Sequence, residues 1–368
     1  MSKLDALVQS INKEWKEDIA AKGIKRIDTQ KIPFTSSRLN YMTYGGIPRG
    51  FLIEFAGENN GGKTTTALDV CKNAQILFQQ EWETELSNTQ DAKRKEYLEA
   101  RGPQKVFYAD CENSLDEDWA RLLGVDVDDM YIIKPQRQVA EDIFQILLDA
   151  IETDEVGLCV IDSLGVMMSK QAYEKDMNEK TYGGISMPLT LFSKKAALLC
   201  RKTSCTIIGI NQERDNLNSP YGGKITTGGQ AWKFNCTCRF SFAKGDYIDA
   251  SGNHLNRSCD TPAGNKVMVS IVKTKAFKPN RRTGFYTLMY DYGVDEIFDL
   301  VEVAMKYGII QKSGAWFTFC DIETGEIVTD ESGKDIKIQG LPNVIKFIKE
   351  DEIMLEELRE QVNIQMGV

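Results

Sequence analysis

The apolar run FLIEFA, starting at Phe51, passes directly into GENNGGKTTT. The second stretch matches G-x-x-x-x-G-K-[ST], the pattern of a phosphate-binding loop. It lies between a strand read over Phe51–Ala56 and a helix read from about Lys63 to Phe78, which is the context the pattern requires. Gly57 and Gly62 free the backbone so that its N–H groups can wrap phosphate oxygens. Lys63 can reach the β- and γ-phosphates, and the Thr64 hydroxyl can hold Mg²⁺. Gly57, Glu58, Asn59, Asn60, Gly61, Gly62, Lys63, Thr64 and Thr65 together form the candidate nucleotide cradle.

The remaining apolar segments give this loop a scaffold. KVFYAD (105–110), GLCVID (157–162) and CTIIGINQ (205–212) are short, apolar and followed by polar turns, as buried parallel strands are. They alternate with helical patterns such as AEDIFQILLDAIE, which implies a mostly parallel sheet covered on both faces. VMVSIVKTK and GFYTLMY read as antiparallel strands at a sheet edge. Beyond Tyr292 the texture changes to a helix, a hairpin over AWFTFCDIETGEIV with ETG at its turn, and an acidic terminal helix. The expected organisation is an N-terminal oligomerisation helix (1–30), an α/β core (31–292) and a small α+β domain (293–368). The charged stretch 79–104 reads as a helical extension or a surface insertion. Residues 1–22 read as one amphipathic helix, docking either on its own domain or on a neighbouring subunit.

Composition narrows the chemistry. Nine cysteines are scattered without a C-x-x-C, and the single histidine is His254. Zinc sites, a disulfide framework and histidine acid–base chemistry are therefore disfavoured. There is no signal-peptide pattern and no long apolar span, so the expected location is the cytosol. The net charge is −9, which argues weakly against nucleic acid as a partner. Charge is nevertheless uneven: KTKAFKPNRR (273–282) carries five positive charges and no negative ones, whereas KEDEIMLEELRE is acidic. A basic groove on an acidic body would satisfy both.

Three polar residues end apolar strands. Asp162 closes LCVID, where an acid can orient Mg²⁺, or alternatively act as an N-cap for the next segment. Glu112 ends VFYADCE and could orient and deprotonate an attacking water; Asp110, two residues earlier and on the same strand face, competes for that role. Gln212 ends TIIGINQ, where an amide could bond the γ-phosphate and lose that contact after hydrolysis. The polar, glycine-rich segment behind it, ERDNLNSPYGGKITTGG, is expected to be mobile until a ligand orders it.

GENNGGKTTT, ADCENSLDEDWARLLGVD, LCVIDS, GINQ and TTGGQAWKF, in this order and spacing, resemble the RecA-type DNA strand-exchange recombinases, over roughly residues 30 to 318. VKTKAFKP and LVEVAMKYGIIQKSGAWF extend the likeness. The resemblance implies an α/β RecA-like P-loop ATPase, using ATP and Mg²⁺, that forms helical filaments on single-stranded DNA and pairs it with homologous duplex. Single-strand-binding and loader proteins would be further partners, and the divergence suggests a phage-encoded member in a bacterial cytosol. It also implies roles. Glu112 takes the catalytic position over Asp110; Asp116 and Trp119 contact adenine, with Tyr290 a further nucleotide contact; Gln212 couples the γ-phosphate to a second DNA loop over 213–229. A first DNA loop falls at 170–183. Thr190, Lys194, Gly228, Gly229 and Gln230 fall at DNA-contacting positions, with Gln230 standing where the family has Asn and one family arginine missing. Lys273 and Lys275 match paired lysines that reach the ATP of the adjoining subunit. The stretch 79–104 has no counterpart in the family pattern. A ring helicase of related fold, or a mediator that binds ATP and hydrolyses little, are the rival readings.

Overall fold

The computed structural model describes residues 2–15, 30–176, 178, 184–215, 224–250, 252–256, 258–321, 324–329 and 333–367. The chain divides into two units, Met1–Gln30 and Lys31–Val368. In the first, α1 (Lys3–Trp15) carries Leu4, Leu7, Val8 and Ile11 at helical spacing, with Leu4 and Leu7 exposed. The rest of the helix expected over 1–22 lies outside the described residues.

The second unit starts with two short paired strands, β1 (Lys31–Ile32) and β2 (Ile47–Pro48), on either side of α2 (Ser37–Thr43). Strands and helices then alternate: β3 (Leu52–Gly57), α3 (Lys63–Asn88), α4 (Ala92–Arg101), β4 (Lys105–Asp110), α5 (Glu117–Leu122), β5 (Tyr131–Ile133), α6 (Ala140–Glu152) and β6 (Val156–Asp162). After α7 (Lys170–Glu174) and α8 (Ser186–Thr203) come β7 (Thr206–Asp215), β8 (Lys224–Thr226) and α9 (Gly229–Asn235). The long edge strands β9 (Cys238–Ile248), β11 (Gly264–Thr274) and β12 (Thr283–Met289) follow, with β10 (His254–Leu255) and β13 (Gly293–Val294) as short additions. The spatial order is β13-β12-β11-β9-β3-β7-β6-β4-β5. From β9 through β5 neighbours run parallel, and β11, β12 and β13 extend that sheet antiparallel, as the sequence pattern implied.

Alternation along each buried strand feeds two cores, one on each face. Ile53, Leu158, Val160 and Ile208 pack with Ala67, Val70, Cys71 and Phe78 of α3. Leu52, Cys159, Ile161 and Ile207 pack with Ile143, Leu147 and Ile151 of α6 and with Leu189 and Phe192 of α8. This two-sided burial is why the parallel strands read as continuous apolar runs rather than as alternating ones.

Several boundaries differ from expectation. The helix after the phosphate loop does not stop at Phe78 but continues to Asn88, and Asp91 then caps α4 by accepting from the N–H groups of Lys93 and Arg94. The 79–104 stretch is thus a helical hairpin, tied by Trp82 Nε1 donating to the Leu98 carbonyl at 2.8 Å and by the fully buried Leu98. At its base Arg49 donates to Glu81 (2.5 Å) and Gln104 (2.6 Å) and lies over the Phe78 ring. In the C-terminal segment α10 (Glu296–Tyr307) precedes β14 (Ile310–Ser313), β15 (Trp316–Phe319) and β16 (Lys337–Gln339). One hairpin turns at Gly314–Ala315 and pairs β15 with β14; the hairpin expected about ETG also closes, with Asp321 N–H donating to the Glu326 carbonyl and Val328 N–H to the Phe319 carbonyl, each at 2.9 Å, and a bridge between Cys320 and Ile327. The acidic terminal helix is α12 (Glu352–Met366); a further helix, α11 (Leu341–Glu350), precedes it, and the side chain of Asp351 between them caps the second. Leu300, Val301, Phe317, Val344 and Val362 form a separate apolar cluster in this segment.

Candidate nucleotide and DNA site

The phosphate loop leaves the carboxyl end of β3 and enters α3, so the free N–H groups of the first helical turn point where a phosphate would sit. Gly62 caps α3 at φ 87, and a Cβ there would meet Val267 at 2.9 Å, so both conformation and space demand glycine. Lys63 Nζ folds back to donate to the carbonyls of Glu58 (2.5 Å) and Gly57 (3.2 Å). Burial pulls its ammonium below the usual range; Asp162, Glu112, Glu213 and Glu58 oppose that shift.

Asp162 sits at the end of β6, 5 % exposed, with one carboxylate oxygen shared by two donors: Thr64 Oγ1 and the Tyr108 hydroxyl, each at 2.8 Å. Burial raises its carboxyl, and these bonds act against that rise. The Asp162–Ser163 peptide is cis. β4 ends at Asp110 rather than running on to Glu112, so the two acids are not on one strand face. Asp110 is buried and spends its carboxylate on the N–H groups of Ser114 and Leu115, which shapes the turn. Glu112 is exposed in that turn, anchored by its own N–H on the Asp162 carbonyl (3.2 Å) and by Ser163 Oγ donating to Oε1 (2.5 Å). One oxygen of Glu112 is thereby fixed beside the loop.

A cavity of about 380 Å³ is lined by Asn60, Gly61, Gly62, Lys63, Thr64 and Thr65 together with Trp119, Lys244, Asn265, Leu288 and Tyr290. Trp119 and Tyr290 thus join the loop in one site. Asp116 does not line it; its carboxylate caps α5 by accepting from Trp119 N–H at 2.9 Å. Sequence reasoning missed Lys244, Asn265 and Leu288. They come from edge strands β9, β11 and β12 and form no local motif; Asn265 is placed by the Tyr290 hydroxyl donating to it at 2.8 Å.

Gln212 faces Gly57 directly across the parallel β3–β7 register. The amide of Gln212 and the hydroxyls of Ser163 and Thr227 converge around Gly165, each about 4 Å from where its Cβ would lie. β7 does not end at Gln212. It continues to Asp215 and pairs with β8, so the arms of the 213–229 segment form a ribbon, with Glu213 opposite Thr226 and Asp215 opposite Lys224. Residues 216–223 lie outside the described residues, as do 177 and 179–183 of the expected first loop, which begins with α7. Asn211, also missed, donates to the buried Glu54 (3.0 Å) and to the Thr227 carbonyl (2.9 Å), pinning the returning arm to the sheet; Arg239 pairs with the same Glu54.

The arm leads into α9 at Gly228 and Gly229. Gly228 has φ 95, and a Cβ there would meet Leu189 of α8 at 2.3 Å. That contact sets the start of α9 beside Thr190, whose hydroxyl is bonded back to the Ser186 carbonyl; Lys194 and Gln230 are exposed. At the other end of α9, Lys273 Nζ donates to the carbonyls of Lys233 (2.6 Å) and Phe234 (2.8 Å), and Lys275 Nζ reaches Phe234 O at 3.4 Å. Burial, with Lys275 adding to it, lowers the Lys273 ammonium. The basic run 273–282 is not one patch: Arg281 is stacked against Tyr41 (3.9 Å) and Tyr44 (4.2 Å).

Among the described residues no group of three His, Cys, Asp or Glu could hold a metal, and no helix is long and apolar enough to cross a membrane. Thr64 and Asp162 nevertheless suit Mg²⁺, which commonly takes one or two protein oxygens and fills its remaining positions with phosphate and water.

A parallel sheet with a phosphate loop at the end of β3, a buried acid at the end of β6 and an exposed glutamate just after β4 defines an ATPase of the P-loop class. The RecA N-terminal domain family matches residues 97–295, and the RecA C-terminal domain family matches 298–367. The chain is 29% identical to Protein RecA of Clostridium beijerinckii over 87% of this chain and 76% of that protein. It is 28% identical to Protein RecA of Aquifex aeolicus over 94% of this chain and 87% of that one. The chain belongs to the RecA family. As a member it is a DNA-dependent ATPase and an ATP-dependent strand-exchange recombinase that forms filaments on single-stranded DNA. The N-terminal match begins at residue 97, inside α4 of the hairpin. These relatives are bacterial, and a phage origin finds no support among them.

Proposed function

We propose that ATP is hydrolysed in the cavity between Lys63 and Trp119, and that its γ-phosphate sets the geometry of a DNA loop through Gln212. Lys63 and the loop N–H groups hold the triphosphate, and Trp119 and Tyr290 flank the base. Glu112, aligned by Ser163, accepts the proton of the attacking water. Thr64 and Asp162 would hold Mg²⁺, which when bound neutralises phosphate charge. Lys273 and Lys275 leave α9 to contact the triphosphate of the adjoining subunit, supplying charge as an arginine finger does. That seam is head-to-tail and does not close on itself, so copies add into a helical filament. Residues 170–183 and 213–229, with Thr190, Lys194, Gly228, Gly229 and Gln230, hold the DNA backbone, and base pairing reads the sequence. Homologous duplex is the second DNA partner. Single-strand-binding and loader proteins would act before filament growth.

The register of Gln212 carries this reading. It lies opposite the first glycine of the phosphate loop and on the strand that becomes the DNA-loop ribbon, so a shift at one end is passed along one rigid element. The test is Gln212→Ala, with ATP turnover measured with and without single-stranded DNA. The variant is expected to bind ATP and to lose DNA stimulation by about tenfold or more, as removal of one aligned hydrogen-bond donor does at other reaction centres. Undiminished stimulation overturns the coupling.

A further inference from the structure

We propose that Lys224 is a backbone-phosphate contact of the second DNA loop, masked by Glu58 of the phosphate loop until DNA displaces it. The proposal rests on the reading of residues 213–229 as a DNA loop, and names a binding residue and its regulation within that loop.

Lys224 opens β8, the returning arm of the ribbon. Its Nζ donates to Glu58 Oε1 and stands 3.8 Å from Glu213 Oε2. Glu213 is itself fixed by Ser241 Oγ at 3.0 Å. The ammonium is therefore held between two carboxylates, one on the phosphate loop and one on the opposite ribbon arm. The Lys224 and Glu58 side chains are 44 % and 57 % exposed, so their pairing is weak and water can take over either partner. DNA offers a dense row of phosphates to the same cation, and releasing its condensed counterions favours the exchange.

Glu58 is a suitable gatekeeper because its backbone is engaged as well. Its carbonyl accepts from Lys63 Nζ and from the Gly61 N–H (3.3 Å). One residue thus touches both the lysine that grips phosphate and the lysine on the DNA-loop ribbon. This link runs beside the sheet and does not use Gln212.

The proposal is tested by fluorescence anisotropy of a labelled oligo(dT), with the full chain saturated by a slowly hydrolysed ATP analogue, over a salt series. Wild type, Glu58→Gln, Lys224→Gln and the double variant are compared, each after analogue titration to saturation. Glu58→Gln is expected to tighten DNA binding about two- to five-fold, the scale of an exposed ion pair. Lys224→Gln is expected to weaken it and to reduce the salt slope by about one. In the Lys224→Gln background, Glu58→Gln should have no further effect. Wild type that fails to bind oligo(dT) sinks the DNA-loop reading and this proposal with it. Wild type that binds, with Glu58→Gln neutral, weakening, or fully additive with Lys224→Gln, sinks this proposal alone.

Discussion

Asp162 and Asp299 are both buried carboxylates, and the chain puts them to different uses. Asp162 is kept beside Thr64 at a strand end, in the place proposed above for the metal. Asp299 is 1 % exposed on α10 and accepts from Ser36, the cap of α2, so it joins the C-terminal segment to the start of the core. Burial raises its carboxyl well above the usual range, with Glu302 and Asp295 adding to the rise and Ser36 and Arg38 opposing it. Because the folded-state value is the higher one, the stabilising form is the protonated acid. That contribution is complete below the unfolded value near about 4 and is lost as pH rises toward the folded value. Asp299→Asn keeps an acceptor for Ser36 and removes the titration. Its melting temperature relative to wild type is therefore expected to climb as the pH is raised above the unfolded value near about 4. A difference that stays flat over that rise would refute the assignment.

Among the elements, the α3–α4 hairpin links the phosphate-loop helix to β4, and its construction is simple. Leu98 is the buried residue of an otherwise exposed helix, and its carbonyl accepts from Trp82. Leu98→Ala is expected to cost about 2–4 kcal/mol in denaturant unfolding, the range for a large-to-small change in a packed site. The hairpin lies ~28 Å along α3 from Lys63 at a rise of 1.5 Å per residue, so DNA-stimulated ATP turnover should persist in the folded variant. Loss of stimulation without loss of stability would instead place the hairpin in the DNA or filament surface. The β7–β8 ribbon teaches a related lesson. The polar, glycine-rich sequence after Gln212 reads as loop, yet its ends pair, because backbone hydrogen bonds between two polar arms leave no apolar signature.

On the scale of the whole molecule, the two-sided core buries nearly all the thiols. Of nine free cysteines, eight are buried and Cys259 is partly exposed. Burial pushes the Cys238 thiol up to about 11 and the Cys111 thiol up to about 12, and Cys71 goes higher still. Thiolate is the reactive form, so these groups are inert while the sheet is intact. A chromogenic thiol reagent is expected to titrate one cysteine rapidly in the native protein and all nine after unfolding. Rapid reaction of three or more native thiols would contradict the packing.

The strand–loop–helix around Lys63, the acid at Asp162, the parallel order of the apolar strands and the antiparallel edge were legible in the amino-acid order, because each depends on residues adjacent in the chain. The family likeness added Glu112 over Asp110, and the turn at Ser114 and Leu115 supplies a physical ground for that choice. The tertiary structure alone decided what depends on distant segments meeting. It set Trp119, Asn265 and Tyr290 around one cavity, turned Asp116 into a helix cap, put Lys273 and Lys275 on the carbonyl end of α9, and brought Lys224 to Glu58 across 166 positions. Local sequence encodes the conformational preferences of a segment, whereas such pairings are set by how the sheet stacks its strands, and no short window records that.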